Sequence, residues 1–177
     1  MNIDNIIRRI INETNERYDN WSKTFMSYAN QMIQELQQEY LKKLGLSIKL
    51  NTDYNFGNRK WFAAYEKSSR TIEQGIIQIA INLPYLYSEM KNRGIENDNF
   101  NIAAQARITI GHEIGHGIID YLLSCYEEEN EAVDQFIHDM YEGIITEEEA
   151  VEEFGETMFT KATGRYTCDL IELLKKL

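Results

Sequence analysis

NIAAQARITIGHEIGHGIIDYLLS, at residues 101–124, contains no proline and predicts one long helix. An apolar stripe at helical spacing, which should face the core, consists of Gly111, Ile114, Ile118 and Leu122. Gly115 and Gly117 are poor helix formers, so they indicate that a neighbouring strand or a substrate comes close to the helix there. The helix therefore has one side that packs against the core and a separate side that carries its polar residues.

The polar side of this helix carries the pentapeptide His-Glu-Ile-Gly-His at residues 112–116. Side chains four residues apart project from the same side of a helix, so His112 and His116 can bind one metal ion together. Glu113 lies about 100° around the helix, close enough to act as general base for an attacking water. This is the HExxH arrangement of zinc peptidases, in which zinc acts as a Lewis acid. Asp120, one turn after His116, is expected to orient a metal-binding histidine.

Helical and strand-like segments surround this helix, and their order indicates the class of fold. The patterns predict helices at about 3–17, 21–44, 85–93, 128–142, 147–163 and 167–177, and strands at 46–51, 61–65 and 75–82. Thr146 is expected to cap the helix that begins at Glu147, with Glu149 as its capping-box partner. We therefore expect an α+β fold: a mostly helical, zincin-like domain with a small mixed sheet, the histidine-bearing zinc helix and a downstream helix that carries glutamates.

GIIQIAIN, at residues 75–82, is the best candidate strand because it is dense in β-branched residues. In a peptidase of this layout, the strand just before the zinc helix usually borders the cleft. A free sheet edge can bind an extended peptide by strand addition. This strand is therefore a candidate for that edge, and an interior position in the sheet is the alternative.

The length of 177 residues and the apolar content of 43% are typical of one packed globular domain. Because there is one proline and no linker-like stretch, we expect a single domain in which N-terminal helices at 1–45 precede a catalytic core at 46–177. We also expect a monomer without a membrane partner, since no apolar run approaches the length of a membrane helix. The N-terminus shows no apolar signal region, which favours a cytoplasmic location over a secreted or delivered form. Cys125 and Cys168 are expected to be ordinary thiols.

Charge is distributed unevenly along the chain, whose net charge is −11. Residues 1–107 carry a net +2 and residues 161–177 another +2, whereas residues 108–160 hold 15 Asp and Glu and no Lys or Arg. An acidic block around the proposed metal site argues against a nucleic-acid partner, which needs basic patches. The block favours cationic peptides by electrostatic steering, although most of these carboxylates are expected to lie on solvated helix faces.

A catalytic zinc site needs a third protein ligand in addition to two histidines. Leu122 occupies the position at which a metzincin has its third histidine, so that class is excluded. His138 is a lone histidine, and such residues are more often part of the surface or the core. Downstream carboxylates are the remaining candidates: Glu131, Glu147, Glu148, Glu149, Glu152, Glu153 and Glu156.

Helical geometry divides the carboxylates of residues 147–163. The buried stripe predicted for this helix consists of Ala150, Val151, Phe154 and Met158. Glu149 and Glu153 lie on one flank of that stripe, whereas Glu152 and Glu156 lie on its far side. Periodicity alone favours Glu153, but a helix that is packed on two sides need not turn its ligand toward its own stripe. Glu149, Glu152 and Glu153 therefore all stay candidates.

HEIGHGIIDYL, at residues 112–122, resembles the zinc-helix signature of the anthrax lethal factor and Pro-Pro endopeptidase family of gluzincin-type metallopeptidases. The shared features are HExGH followed by Asp120 and Tyr121. That family takes its third ligand from a later helix with the pattern Glu-x-Phe-(Ala/Gly)-Glu, which residues 152–156 fit. The resemblance, which covers residues 110–159, implies that Glu152 is the ligand and that Glu156 supports it from one turn further on.

The family also places a tyrosine about two turns upstream of the ligand glutamate, where it stabilises the oxyanion. In this chain that place falls near residues 144–145, which are isoleucines. Tyr141 and Tyr166 are the nearest tyrosines on either side, and either could serve. A donor of this kind is often worth about 3 kcal/mol of transition-state stabilisation, so its absence would make a slow enzyme.

The residues and the resemblance together predict a zinc-dependent endopeptidase with one zinc ion. It would hydrolyse a peptide or protein substrate, with Glu113 as general base. The alternative is a metallopeptidase-fold binding or regulatory module with little activity. The intact Glu113 weighs against that alternative, because a silent site needs no base. A zinc hydrolase of another bond is a third hypothesis.

Overall fold

The computed structural model describes residues 3–160 and 168–177. It confirms the α+β class, because in these residues seven α-helices accompany a small three-stranded sheet. The helices are α1 (Ile3–Leu36), α2 (Ser69–Glu73), α3 (Leu83–Asn92), α4 (Asn99–Ser124), α5 (Glu131–Tyr141), α6 (Glu147–Thr160) and α7 (Asp169–Lys176). The strands are β1 (Ser47–Asn51), β2 (Ala63–Tyr65) and β3 (Ile76–Ile81).

One continuous helix, α1, takes the place of the two N-terminal helices predicted at 3–17 and 21–44. Residues 18–20 contain neither glycine nor proline, so no local signal ends the helix there. A π-helical turn at Gln37–Leu41 follows α1, and the chain turns away at Gly45, where φ is +68°. The main apolar stripe of α1 is buried from Trp21 onward. Five isoleucines before that residue are exposed: Ile3, Ile6, Ile7, Ile10 and Ile11.

The strand β3 lies in the middle of the sheet, where β1 pairs with it in parallel and β2 pairs with it in antiparallel orientation. The prediction that residues 75–82 form the free edge is therefore wrong, and the interior alternative is correct. Four of the six residues of β3 are buried, which fits its apolar composition. In the described residues β1 and β2 form the two edges of the sheet.

Local signals set the ends of the later helices. The side chain of Asn130 accepts hydrogen bonds from the backbone N–H groups of Ala132 and Val133 and so begins α5. Gly143, with φ at +69°, ends that region as predicted. The short helix α2 was not predicted. Residues 161–163 and 167 of the predicted C-terminal helices lie outside the described residues.

The helix α4 is central, since it contacts α1, α6, β2 and β3. Its predicted apolar stripe is buried, and its two predicted glycines face different neighbours. A Cβ on Gly117 would lie 2.3 Å from Cγ2 of Ile77 in β3, as expected for close approach of a strand. A Cβ on Gly115 would lie 2.9 Å from Cγ1 of Val151, so a helix rather than a substrate occupies that side. The polar side of α4 is left facing a cleft.

The helix α6 packs against α4 almost backbone to backbone. A Cβ on Gly155 would lie only 2.6 Å from the carbonyl oxygen of Ile108 and 3.1 Å from the amide nitrogen of His112. On the other helix, a Cβ on Gly111 would lie 3.1 Å from the Cα of Gly155. A side chain at Gly155 would require one of the helices to move, whereas one at Gly111 would meet a tight contact with Met158 and Gly155.

A buried arginine joins α4 to the two helices beside it. The guanidinium of Arg107 donates to both carboxylate oxygens of Glu35 in α1, each at 3.1 Å. It also donates at 3.1 Å to the carbonyl oxygen of Met158 near the end of α6. Because a helix end has unpaired carbonyl groups, this contact satisfies one of them while it holds the three helices together.

Most buried apolar side chains of the described residues form one cluster, to which the sheet and the helices α1, α4 and α6 contribute. Cys125 and Cys168 are free thiols, as expected. None of the helices in the described ranges combines the length and the apolar character that crossing a lipid bilayer requires.

Gly155→Ala is expected to destabilise the protein by about 2 kcal/mol, because the added methyl group would meet a backbone oxygen that cannot rotate away. Glu153→Ala, on the exposed face of the same helix, is the matched control and should change the free energy of unfolding by less than about 0.5 kcal/mol. Urea unfolding followed by circular dichroism measures both. Equal values for the two variants would show that the helices are not held at this distance.

Candidate metal centre

A cleft of about 950 Å³ lies between β2, α4 and α6. The wall from β2 and the residues before it is mainly apolar and includes Trp61, Phe62 and Ala63. The α4 side carries the predicted histidines and Glu113. The α6 wall consists of four glutamates: Glu147, Glu148, Glu152 and Glu156. The polar side of α4 therefore faces carboxylates across the cleft.

The two histidines and one of these glutamates converge. The Nε2 atoms of His112 and His116 lie 3.2 Å apart. One carboxylate oxygen of Glu148 lies 3.5 Å from Nε2 of His116, and the other lies 3.7 Å from Nε2 of His112. Tetrahedral zinc with bonds of about 2.0–2.1 Å requires ligand atoms roughly 3.3 Å apart. These three residues therefore fit the spacing of a metal site, and they form a possible metal-binding group.

The other ring nitrogen of His116 has a carboxylate partner as well. Its Nδ1 lies 2.6 Å from Oε1 of Glu147, which precedes Glu148 on α6. When Nδ1 carries the proton and donates it to this carboxylate, the lone pair of Nε2 is directed toward His112 and Glu148. Neighbouring glutamates at the start of one helix thus perform two tasks, one beside each nitrogen of the same imidazole.

Glu113 lies in the same cleft and faces the edge strand. Its Oε2 atom accepts a hydrogen bond of 2.6 Å from the backbone N–H of Tyr65, the last residue of β2. The carboxylate is therefore held between the histidine-bearing helix and the sheet. A carboxylate thus lines the same cleft as the possible metal site, and its role as general base stays a prediction.

The predicted carboxylates of α6 fall into separate groups. Glu152 and Glu156 continue the acidic wall of the cleft that begins at Glu148, at intervals of four residues. Glu153 is exposed and does not line this cleft. Glu149 is engaged in the predicted capping box, since its carboxylate accepts from the backbone N–H and the hydroxyl of Thr146. The role of Glu152 as ligand and that of Glu156 in its support stay predictions.

The sequence pattern did not single out Glu148. The apolar stripe of α6 ranks the candidate carboxylates, and two residues of that stripe, Val151 and Met158, pack on Gly115 and Gly111 of α4. The contact with α4 extends beyond the stripe to Gly155, which has no side chain and adds nothing to a hydrophobic pattern. The signal that could have found Glu148 is its position seven residues, or two turns, before this glycine, on the adjoining face.

Other predicted site residues lie elsewhere. Asp120 is on the expected side of α4, but the described partners of its carboxylate are Tyr65, Lys67 and Ser124, and the carboxylate beside His116 is Glu147. The predicted contact of Asp120 with a histidine is thus not among the described ones.

The two tyrosines proposed as oxyanion donors cannot be placed at this cleft. Tyr141 is 82% exposed at the end of α5 and does not line it. Tyr166 lies outside the described residues. His138, set aside as a lone histidine, is largely exposed on α5, where its Nδ1 lies 3.6 Å from Asp139.

Comparison of the chain with protein-family models, with curated proteins and with solved structures finds no match in any of the three. The resemblance of residues 110–159 to the lethal factor and Pro-Pro endopeptidase family therefore rests on the motif residues alone. What the geometry supports directly is a possible metal site of His112, His116 and Glu148 in a mostly helical α+β protein.

The stabilisation that Glu149 gives to α6 is expected to depend on pH. Hydrogen bonds from Thr146 lower the pKa of Glu149 from its ordinary value of 4.5. A folded-state pKa below the unfolded one adds stability above the unfolded pKa, and this stability is lost as the pH falls through the folded value.

Glu149→Gln keeps a hydrogen-bond acceptor but removes the charge. The wild-type protein should therefore unfold at a higher urea concentration than this variant near pH 7, and the difference should disappear by about pH 3. A difference of the same size at both pH values would show that the charge of Glu149 does not contribute.

Proposed function

We propose that this chain is a zinc-dependent endopeptidase with His112, His116 and Glu148 as metal ligands and Glu113 as general base. The observation that carries the proposal is the convergence of two Nε2 atoms and a carboxylate beside another carboxylate in an open cleft. Two histidines and a glutamate leave a fourth position of a tetrahedral zinc ion open. Zinc held there would supply Lewis-acid polarisation of a carbonyl group and of water.

The proton transfers are assigned to Glu113. One of its carboxylate oxygens accepts a hydrogen bond from the N–H of Tyr65, and the other has no hydrogen-bond partner among the described residues. A carboxylate oxygen with free lone pairs can take a proton from the attacking water and later deliver it to the leaving amine. The two imidazoles are unsuited to this task, because their Nε2 atoms face each other and Glu148.

The strand β2 offers a surface on which an extended peptide can bind. The N–H of Glu66 donates to Gln78, and the N–H of Asn82 donates to Phe62, so the even-numbered residues of this segment face β3. Because bonded and non-bonded pairs alternate in antiparallel strands, the N–H and C=O groups of Ala63 point away from β3. Ala63 is only 7% exposed, so a peptide that pairs with these groups by strand addition has to enter the cleft that Ala63 lines.

The charge of the cleft favours a substrate with basic side chains. Its α6 wall has carboxylates on successive turns, and Lys67 is the only Lys or Arg among the described residues that line it. That lysine lies 3.1 Å from a carboxylate oxygen of Asp120, so it is already paired. A cationic peptide would find the complementary charge on Glu152 and Glu156.

The identity of the third ligand is the most detailed part of the proposal. Distances favour Glu148, since its two oxygens lie near both histidines. The resemblance implies Glu152 instead, which lines the same cleft one turn further along α6. The choice between them is open to a direct experiment, because each side chain can be shortened without removing the histidines.

We expect one zinc ion per chain in zinc-replete protein, and loss of most of it in His112→Ala and Glu148→Ala. Glu152→Ala should keep near wild-type affinity, whereas Glu147→Gln should weaken binding roughly ten-fold because it supports His116. Elemental analysis and competition with a chelator measure these values. Retention of zinc by Glu148→Ala with loss in Glu152→Ala would transfer the ligand role to Glu152. Well under one zinc in the wild-type chain would overturn the site.

Glu113→Gln is expected to keep the fold and the zinc content but to abolish hydrolysis of a peptide library, because the amide cannot accept the proton. Gln105→Glu, elsewhere in the cleft, is a control for the effect of a changed charge. Mass spectrometry of the library after digestion measures both. A fully metallated and active Glu113→Gln would contradict the assigned base. A wild-type chain that binds zinc and peptide but cleaves nothing would favour the binding module instead.

A further inference from the structure

Asp120 is a buried carboxylate that the proposed reaction does not use. Its side chain is only 9% exposed, and it lies on α4 one turn after His116. Its Oδ2 accepts a hydrogen bond of 2.7 Å from the hydroxyl of Tyr65. Its Oδ1 lies 3.1 Å from the ammonium group of Lys67 and 3.4 Å from the hydroxyl of Ser124. A buried charge is tolerated when it is paired and hydrogen-bonded in this way.

Tyr65 connects this carboxylate to Glu113. Its hydroxyl is held by Asp120, and its backbone N–H is held by Glu113 at 2.6 Å. The two carboxylates are seven residues apart on α4, so the single tyrosine spans two turns of the helix. Burial, and next the hydrogen bond to Asp120, raise the pKa of the Tyr65 hydroxyl, which keeps it protonated and able to donate.

The backbone of β2 is thereby fixed at one point. The next residue, Glu66, donates its N–H to Gln78 of β3, while Tyr65 donates in the opposite direction to Glu113. Movement of the end of β2 away from α4 would break the contact with Glu113 and leave the other contact with β3 intact. The hydroxyl of Tyr65 opposes that movement, because it is anchored to a buried charge on the same helix.

We propose that Tyr65 is a positioning residue for Glu113, anchored by Asp120. The proposal rests on the proposed function, in which Glu113 is the general base. The tyrosine fixes one oxygen of the Glu113 carboxylate and so orients the other toward the cleft. It also takes its own N–H out of the edge of β2.

The first test measures the contact itself in the zinc-loaded chain. In Tyr65→Phe, amide hydrogen exchange at residue 65, followed by NMR, should become roughly ten-fold faster, because the N–H···Glu113 contact opens more often. The amide of Glu66, which is bonded to β3, is the internal control and should change by less than about two-fold. Tyr85→Phe is the matched control variant, since the ring of Tyr85 packs against Phe62, the residue just before β2.

The second test measures peptide hydrolysis. Tyr65→Phe should lower kcat roughly ten-fold with KM within about two-fold of wild type, since a misplaced base affects the chemical step rather than peptide binding. Zinc content should be unchanged. Asp120→Asn weakens the anchor from the other side, so it should also raise the exchange rate at residue 65 and lower kcat. This variant serves as the test if Tyr65→Phe does not fold.

Three results would overturn the proposal. Unchanged exchange at residue 65 would show that the hydroxyl is no anchor, and equal acceleration at residues 65 and 66 would show that it only stabilises the strand. Faster exchange at residue 65 with full kcat would show that the contact does not position the base. A wild-type chain that binds zinc but hydrolyses no peptide would instead defeat the proposed function, while the exchange data would still decide whether Tyr65 holds Glu113.

Discussion

The backbone contact between α4 and α6 is the constraint on which the rest of the site depends. At Gly155, the carbonyl oxygen of Ile108 and the amide nitrogen of His112 lie so close that a Cβ atom would meet them. Helices this close cannot slide past each other without a clash, so each residue of α6 has a fixed level along α4. Glu148 stands two turns before Gly155. This register brings its carboxylate level with both histidine Nε2 atoms.

Electrostatics explains why such a register has to be imposed by packing. Residues 108–160 contain 15 acidic residues and no Lys or Arg, and four of their glutamates line one wall of the cleft. Like charges that are held together repel one another. Lys67, the single Lys or Arg among the described lining residues, does not relieve this repulsion because it is paired with Asp120. The cleft therefore gains stability from an added cation. Two kinds of cation would have this effect. One is a divalent metal bound between the histidines, and the other is a basic side chain of a bound peptide beside the later glutamates of α6.

The features that sequence analysis predicted correctly depend on residues close together in the chain. The spacing of residues 112–116, the capping box of Thr146 with Glu149 and the stop at Gly143 each involve about one helical turn, and each appears in the structure. The position of β3 inside the sheet depends on strands contributed by two distant segments. Dense β-branched composition marks a strand but does not state its neighbours, so edge and interior could not be separated. The prediction of two N-terminal helices is wrong for a local reason, because residues 18–20 contain no residue that ends a helix and α1 runs through them.

Glu148, the third member of the possible metal site, was harder to predict because the apolar stripe of α6 understates how much of that helix is buried. Val151 and Met158 of the stripe pack on Gly115 and Gly111 of α4, and periodicity favours Glu153 beside the stripe. Gly155 extends the buried side beyond the stripe, but a glycine adds nothing to a hydrophobic pattern. Gly115 continues the same groove on α4 and receives Val151. Glycines four residues apart on one helix and a single glycine on another thus mark a line of close approach. Polar residues beside that line, rather than beside the apolar stripe, are the ones that can reach across to the partner helix, and Glu148 is such a residue.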